Sequence, residues 1–442
     1  MTGLRFLLAI AGLHVAGWGL LTLLPAGLRA ILPRFPATGL AGLLFVGGEM
    51  LAFSFLAISW TLPRLLALPT LVVCGGLLRR GGSREIPGPR SALLVIAAGI
   101  VALAAYGSWS ARATSADFVL FWGAKGERFA LARGIAVPFL KAPEHYLMHP
   151  DYPPLLPFLY AFGSLAAGRF PWGASLLVMP WFLAMTVSVF HGVAEKRLDH
   201  PRESALLTAV FAGVLGLTGL VTCAAGSADA GLIAFETAAL AVLLSTGGGP
   251  SEWIAGAAFA GACLSKLEGL FVSAIVISGV ILVCRPGWRR RLVSAARLSL
   301  FPAIGLGSWL LFCRANGLID FYRGGQIGAF TLKNASRIPP AILHAAAYDY
   351  AFLPWIALAL TGFAFRQRGW AFLPLWTAGA FLSVNVYFYL HGTADPTIWI
   401  WWSAGRTLIT VLTCGSLAIG GHGRESNFSD RAADDRERRG MR

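Results

Sequence analysis

Apolar stretches of roughly 17–25 residues recur from one end of the 442-residue chain to the other, and each is long enough to cross a bilayer as a helix. Inside lipid every backbone amide needs a partner within its own segment, which favours helices. The strands of a membrane barrel would instead alternate strictly over about ten residues, whereas these stretches are continuously apolar. The sequence therefore predicts an all-α, polytopic transmembrane helical bundle of about 13 helices. The predicted helices occupy residues 5–27, 38–59, 62–78, 91–111, 172–191, 204–222, 230–246, 252–265, 269–284, 298–313, 346–365, 370–390 and 405–421.

The charge of the chain follows the same pattern. Only 13% of the residues are charged, about half the share found in a soluble domain. The net charge of +15 comes from Arg and Lys in short connections, which indicates membrane topology and no nucleic-acid partner. We predict that these connections and the charged, disordered tail 422–442 are cytoplasmic and that the N-terminus is outside. The basic residues are Arg29, Arg34, Arg79, Arg80, Arg84, Arg90, Lys196, Arg197, Arg202, Arg285, Arg289, Arg290, Arg291, Arg297, Arg366 and Arg368.

The connections 112–171, 223–229, Lys266–Glu268, 314–345 and 391–404 then face outward. The first of them is by far the longest. Its segment Phe118–Leu131 mixes aromatic and charged residues, which predicts an amphipathic helix at the membrane interface. Its segment 153–168 is apolar but short and predicts a juxtamembrane or re-entrant helix. The six cysteines are scattered without a CxxC motif and indicate neither a zinc site nor a disulfide framework.

Polar residues collect in these outward connections and mark the candidate site. Carboxylates at one membrane face can act as general bases, and cations beside them can hold a phosphate. The candidates are Asp117, Lys125, His149, Asp151, Tyr152, Asp229, Lys266, Glu268 and Arg406.

In order and membrane side, this pattern resembles the GT-C superfamily of polytopic glycosyltransferases, near the protein mannosyltransferases and aminoarabinose transferases. The resemblance rests on Asp117 just after a predicted helix, Tyr152-Pro153-Pro154-Leu155, Asp229 at the head of a helix, Ser265-Lys266-Leu267-Glu268-Gly269, and Arg406. It covers residues 91–421 as a transmembrane catalytic core. Residues 1–90 form N-terminal transmembrane helices outside that pattern.

The resemblance implies an inverting glycosyl transfer at the outer face of the inner (plasma) membrane, facing the periplasm or cell exterior. The donor would be a polyprenyl-phosphate sugar, and the acceptor a lipid, glycan or protein. Asp117 would take or orient the proton of the acceptor hydroxyl, while Lys266 and Arg406 would neutralise the phosphate leaving group. Asp229 and Glu268 would orient Lys266, contact sugar hydroxyls or bind a divalent metal, which some branches of the superfamily use.

Each candidate also has a structural interpretation. Asp117 or Asp229 can cap a helix, Lys125 can be a surface charge, and Lys266 can pair with Glu268. The turn around His149, Asp151 and Tyr152 can be Pro-rich and structural, and Arg406 can be an interfacial arginine. The acids Glu49 and Glu236 fall inside apolar stretches, where ionisable residues are functional candidates. They favour a transporter or flippase as the alternative, and Glu236 lies about two helical turns beyond Asp229, beneath the predicted site.

Overall fold

The computed structural model of the protein describes residues 1–29, 31–79, 92–110, 115, 117–198, 200–318, 332, 335–350, 369–391 and 396–419. Within those ranges the chain is helical and contains no strand, as the apolar stretches predict. The main helices are α1 (Thr2–Thr22), α2 (Arg34–Phe55), α3 (Leu62–Leu78), α4 (Ala92–Ser110), α5 (Gly123–Ala132), α6 (Leu155–Ala167), α7 (Val178–Arg197), α8 (Pro201–Ala225), α9 (Asp229–Thr246), α10 (Glu252–Ser265), α11 (Glu268–Gly279), α12 (Trp288–Ala315), α13 (Ile338–Tyr350), α14 (Leu373–Tyr389) and α15 (Pro396–Ile419).

Two π-helices extend the main helices. One, Asp117–Trp122, leads directly into α5, and the other, Val280–Cys284, continues α11. Such π-helical turns are rare and are found frequently at functional sites. The first of them carries three of the side chains discussed below.

Five of the helices in the described ranges are long and apolar enough to cross a membrane. They are Thr2–Thr22, Arg34–Phe55, Trp172–Lys196, Asp229–Thr246 and Trp288–Ala315. Shorter apolar helices accompany them, including α3, α6 and α11. Length and composition therefore support a membrane protein built from helices.

Helix α9 lies at the centre of the bundle. It packs against α7, α10, α11 and α15, and nearly every one of its residues is buried. A helix that is apolar on all sides has no face to offer to water and is stable only when other helices enclose it. Because α9 begins at Asp229, this central position sets the depth of one candidate site residue.

Helices α1 and α2 cross at very short range. A Cβ on Gly17 would collide with the carbonyl of Thr38, and one on Gly42 would collide with the carbonyl of Leu13. Small residues are what allow two membrane helices to approach this closely. These two helices also pack against α6 and α7, so residues 1–79 share one core with the later helices, while the predicted division at residue 90 stays a prediction.

His14 links α1 to two neighbouring helices. The indole Nε1 of Trp181 on α7 donates to its Nε2 at 2.9 Å, and its Nδ1 lies 2.9 Å from the Thr38 hydroxyl on α2. An indole N–H only donates, so Nε2 is the unprotonated nitrogen and Nδ1 carries the proton. The hydroxyl of Thr38 donates in turn to backbone carbonyls of α2.

A second polar centre lies where α10 begins. Glu252 is fully buried and pairs with Arg285 at 2.7 Å and Arg297 at 3.5 Å. Ser294 donates to the same carboxylate at 2.7 Å, and the Arg285 guanidinium lies over the Trp370 ring. We refer to Glu252, Arg285, Ser294 and Arg297 as the arginine cluster. It joins the beginnings of α10 and α12, which lie on the predicted cytoplasmic side.

Several predicted boundaries agree with the structure and others are wrong. Helices α3 and α10 match 62–78 and 252–265 to the residue. The helix predicted at 298–313 begins ten residues earlier, at Trp288, and the helix predicted at 405–421 begins at Pro396. Residues 396–404 are therefore helix and not loop. Most of the helix predicted at 346–365 and the tail 422–442 lie outside the described residues.

The predicted interfacial helix Phe118–Leu131 is an interior segment on one side. Its aromatic residues Phe118, Trp122 and Phe129 and its cation Lys125 are all buried within the protein. The segment packs against α6, the short helix predicted at 153–168, which is itself almost entirely buried. Its Leu120 and Leu131 side chains are exposed, and the interfacial position stays a prediction.

Candidate functional site

Lys266 lies in the extended linker between α10 and α11. Its Nζ is 2.8 Å from Asp229 Oδ1 and 2.9 Å from Glu268 Oε1. Asp229 and Glu268 are the first residues of α9 and α11, where the helix dipole favours an acid. Two helix beginnings thus direct carboxylates at one buried ammonium, and the predicted pairing of Lys266 with Glu268 is confirmed.

Lys125, on α5, is a second buried cation, with only 2% of its surface exposed. Its Nζ donates to the backbone carbonyl of His149 at 2.6 Å and lies 5.5 Å from the centre of the Trp122 ring. Burial lowers the pKa of Lys125 to about 7, although the nearby carboxylate of Asp151 opposes the shift. Lys125 is therefore no surface charge.

His149 is close enough to both lysines for each to act on its imidazole. Burial, Lys125 and Lys266 together lower its pKa to about 4, so its imidazole is neutral at physiological pH. Its backbone has φ of +49°, a left-handed conformation that is uncommon for residues other than glycine. Because both lysines act on this one ring, the residues around Lys125 and those around Lys266 form a single polar site.

Two aromatic rings stack on His149. The ring of Tyr152 lies at a centroid distance of 4.5 Å from the imidazole, and that of Phe121 lies at 6.0 Å. Trp122 in turn stacks on Tyr152 at 6.0 Å. The two π-helical rings Phe121 and Trp122 therefore hold the loop residues His149 and Tyr152 in a fixed orientation.

Asp151 completes the site from the same loop. It is buried, and its backbone carbonyl accepts a 2.6 Å hydrogen bond from the indole of Trp309 on α12. We call the seven residues around the two lysines the lysine site. They are Lys125, His149, Asp151, Tyr152, Asp229, Lys266 and Glu268. All seven are among the residues that the sequence predicts to line the outer face.

Asp117 opens the π-helix and is half-buried. About one π-helical turn later come Phe121 and Trp122, which stack on the rings of the lysine site. The backbone thus places Asp117 at the edge of that site. Just before the π-helix, the Ser115 hydroxyl accepts the backbone N–H of Phe118 at 3.2 Å.

Glu236 does not join the lysine site in any contact of the described residues. It is fully buried in α9, where Thr410 and Cys414 of α15 donate to its carboxylate at 3.2 and 3.5 Å. Arg406 belongs to α15, but its side chain lies outside the described residues. Glu236 and Arg406 as binding residues therefore stay predictions.

Three features of the site have no signal in the sequence. Trp309 lies in an apolar stretch that looks like an ordinary membrane segment. Ser227, two residues before Asp229, is buried with its hydroxyl making no hydrogen bond to any described residue. The sequence does not predict the left-handed backbone of His149 either, although the proline that follows it disfavours a helix there.

The charged side chains of the site are two lysines and three carboxylates. Among the described residues, no group of three or more His, Cys, Asp and Glu side chains is placed to hold a metal. The facing carboxylates of Asp229 and Glu268 share the Lys266 ammonium instead.

Comparison with known proteins gives no relative. No protein-family model, no curated protein and no solved structure matches this chain.

Proposed function

We propose that the protein is a membrane glycosyltransferase of GT-C type, with about 13 crossings, that moves a sugar from a polyprenyl-phosphate donor to a hydroxyl of a lipid, glycan or protein acceptor. The reaction takes place at the outer face of the inner (plasma) membrane. The observation that carries the proposal is the lysine site, in which two buried lysines and three carboxylates meet at one end of an apolar bundle.

The depth of the site supports a lipid-linked substrate. Helix α10, which connects the arginine cluster to Lys266, has 14 residues, or about 21 Å of length. The hydrocarbon core of a bilayer is about 30 Å thick. Lys266 therefore lies about 9 Å inside the outer edge of the hydrocarbon core when the arginine cluster is at the opposite interface, a depth that a donor held within the bilayer can reach.

Each group has a role in the proposed reaction. The acceptor oxygen attacks the anomeric carbon, the bond from that carbon to the phosphate oxygen breaks, and the phosphate keeps the electron pair. The carboxylate of Asp117 takes the proton of the acceptor hydroxyl. Lys266 neutralises the leaving phosphate, and attack from the opposite side inverts the anomeric centre.

The neighbours of Lys266 keep it ready for that role. Asp229 and Glu268 hold its ammonium in the charged form and in one position before the donor arrives. His149, neutral and stacked on the Tyr152 ring, can accept a hydrogen bond from a sugar hydroxyl without adding charge. No reorganisation is then needed as charge develops on the phosphate.

The test is transfer from a purified polyprenyl-phosphate sugar to acceptor by protein in lipid nanodiscs. Asp117→Asn should lower turnover by about 10²–10⁴-fold, the range for loss of a general base, with donor binding retained. Lys266→Gln should weaken donor binding as well. Wild-type turnover in Asp117→Asn at normal expression would remove Asp117 from the mechanism, and an absence of transfer by the wild-type protein with every polyprenyl donor tried would contradict the proposal.

A transporter or flippase is the second candidate. The observation in its favour is Glu236, an acid at the centre of the bundle that interacts with two side chains of α15, because acids in such places mark transport paths. Proteoliposomes separate the two functions. Uptake of a lipid-linked or small polar sugar that Glu236→Gln abolishes would support transport, whereas sugar transfer without any flux would exclude it.

A further inference from the structure

A separate cavity of about 500 Å³ lies beside the lysine site. The ends of α2, α5 and α12 surround it, and it is open on one side. Two aromatic rings form a wall, Phe55 and Phe312, which meet edge to face at 5.5 Å. Phe312 stacks on Trp309, the residue bonded to Asp151, so an aromatic pair separates the cavity from the lysine site.

Two helices end at this cavity in the same unusual way. Helix α2 ends with Ile58 N–H bonded to the Phe53 carbonyl, and α5 ends with Gly134 N–H bonded to the Phe129 carbonyl. This is the Schellman arrangement, whose left-handed residue is usually glycine. Here the left-handed residues are Ala57, with φ of +52°, and Arg133, with φ of +50°.

Arg133 is the informative one of these two residues. Glycine would occupy its left-handed position with less strain, and the chain has a glycine only one position later, at Gly134. The N–H of Trp60 donates to the Arg133 carbonyl at 2.7 Å, which fixes the backbone at the cavity edge. Arg133 therefore presents an exposed side chain at the cavity edge from a backbone conformation that glycine would adopt with less strain.

The charge of the cavity points to an anion. Among the described residues that line the cavity, Arg133 is charged and none is acidic. Its guanidinium makes no ion pair or side-chain hydrogen bond within the described part of the chain. Lys141 adds a second cation at the rim, with its Nζ 3.6 Å from the position of a Cβ on Gly317, next to the cavity residue Asn316.

We propose that this cavity binds a phosphate-bearing ligand through the Arg133 guanidinium, with the Phe55–Phe312 wall against the organic part of the ligand and Lys141 at the entrance. The fork of N–H donors on arginine matches two phosphate oxygens at once. A volume of about 500 Å³ is typical of small-molecule pockets and leaves room for more than an inorganic ion. The ligand is thus a phosphate ester, either a soluble one or a phospholipid headgroup, and this inference does not depend on the proposed function.

The test uses the full-length protein in phosphatidylcholine nanodiscs and two probes. Binding of glycerol phosphate is measured by calorimetry, and retention of phosphatidylglycerol by native mass spectrometry. Arg133→Gln and Arg133→Gly should weaken binding of the preferred probe by about tenfold or more, the effect of about 1.4 kcal/mol. Arg169→Gln, which removes an exposed cation bonded to Thr2 away from the cavity, should bind as the wild type does.

The Arg133→Gly variant separates a loss of ligand binding from a loss of stability. Arg133→Gly relieves the left-handed strain, so its unfolding temperature should be equal to or above that of the wild type while its binding is lost. Loss of glycerol phosphate binding identifies a soluble ester, and loss of phosphatidylglycerol retention alone identifies a lipid. Wild-type protein that binds neither probe, or Arg133 variants that bind as tightly as the wild type, would overturn the proposal.

Discussion

Lys266 keeps its position because two acids face it from different helices. Its side chain is 9% exposed and that of Asp229 is 5% exposed, so water screens their attraction only weakly. Removing one member of a buried ion pair is far more costly than replacing the whole pair, because it leaves the other charge buried without compensation. The energetics of the site therefore depend on the set of charges as a unit, and single substitutions exaggerate the contribution of each residue.

Lys266→Gln should lower the free energy of unfolding by about 3–5 kcal/mol, because it leaves buried carboxylates without their cation. The double variant Asp229→Asn with Lys266→Gln should recover part of that loss, since it removes a stranded charge. Thermal or denaturant unfolding in nanodiscs measures both. Additive effects of the two substitutions would show that the pair is not coupled.

His149 should make stability depend on acid pH. Burial and the two lysines lower its pKa to about 4 in the folded chain, against about 6.5 when unfolded. The unfolded chain therefore binds the proton first as pH falls, so this contribution is complete above pH 6.5 and is lost between 6.5 and 4. We expect a loss on the order of 2 kcal/mol over that window, after allowance for partial exposure.

His149→Asn isolates this effect, because asparagine tolerates the left-handed backbone and does not titrate. Its unfolding free energy should fall less between pH 6.5 and 4 than that of the wild type. Parallel pH curves for the two proteins would assign the acid sensitivity to other groups.

At the scale of helices, the close crossing of α1 and α2 requires glycines, whose side chain is a single hydrogen atom. Gly42 faces the backbone of α1, while Gly48 on the same helix has no neighbouring atom within 4 Å of a built Cβ. One methyl group therefore has opposite consequences at two positions six residues apart on α2.

Gly42→Ala should destabilise the protein by about 1–3 kcal/mol, because the two backbones must separate. Gly48→Ala should stabilise it by about 0.5–1 kcal/mol, because alanine loses less conformational freedom in a helix. Unfolding in nanodiscs measures both changes. A shift of the same sign in both variants would contradict the close crossing.

The sequence predicts helices best where polar residues bound an apolar stretch on both sides. Helix α10 ends at Lys266 for this reason, and its predicted limits are confirmed. The sequence predicts helix limits poorly where a helix continues beyond the apolar stretch. Arginine is a good helix former, so α12 starts at Trp288 and includes Arg289–Arg291 in its first turn. Pro396 is suited to the first turn of α15.

The same limit applies to the site. Its charged residues could be predicted because each lies at the end of an apolar stretch, as Asp229 and Lys266 do. The burial of Lys125 could not, because an amphipathic pattern does not distinguish a protein interior from a membrane interface. Trp309 could not either, since a tryptophan in an apolar helix has the same pattern whether its N–H faces lipid or a partner.

At the scale of the whole molecule, the two polar centres lie at opposite ends of α10. The arginine cluster gathers at Glu252 and the lysine site at Lys266, about 21 Å apart along the helix. A bundle with an apolar middle and charged ends on each side can have only two orientations in a bilayer, and the basic connections favour the arginine cluster inside.

Cysteine labelling in cells can determine this orientation. A thiol reagent that does not cross membranes should modify Arg133→Cys in intact cells and Arg289→Cys only after permeabilisation, with the wild-type protein as the background for its native cysteines. Both substituted residues are exposed. The reverse labelling pattern would place the lysine site in the cytoplasm and contradict an outward-facing reaction.

The hydrogen bonds of His14 have a consequence for proton movement. Protonation of Nε2 would set its N–H against the N–H of Trp181, two donors facing each other, and Nδ1 already carries its proton. The imidazole cannot accept a second proton without breaking the contact between α1 and α7. His14 therefore links α1 to its neighbouring helices in a single protonation state. Proton transfer through the bundle would need a different residue to carry the proton.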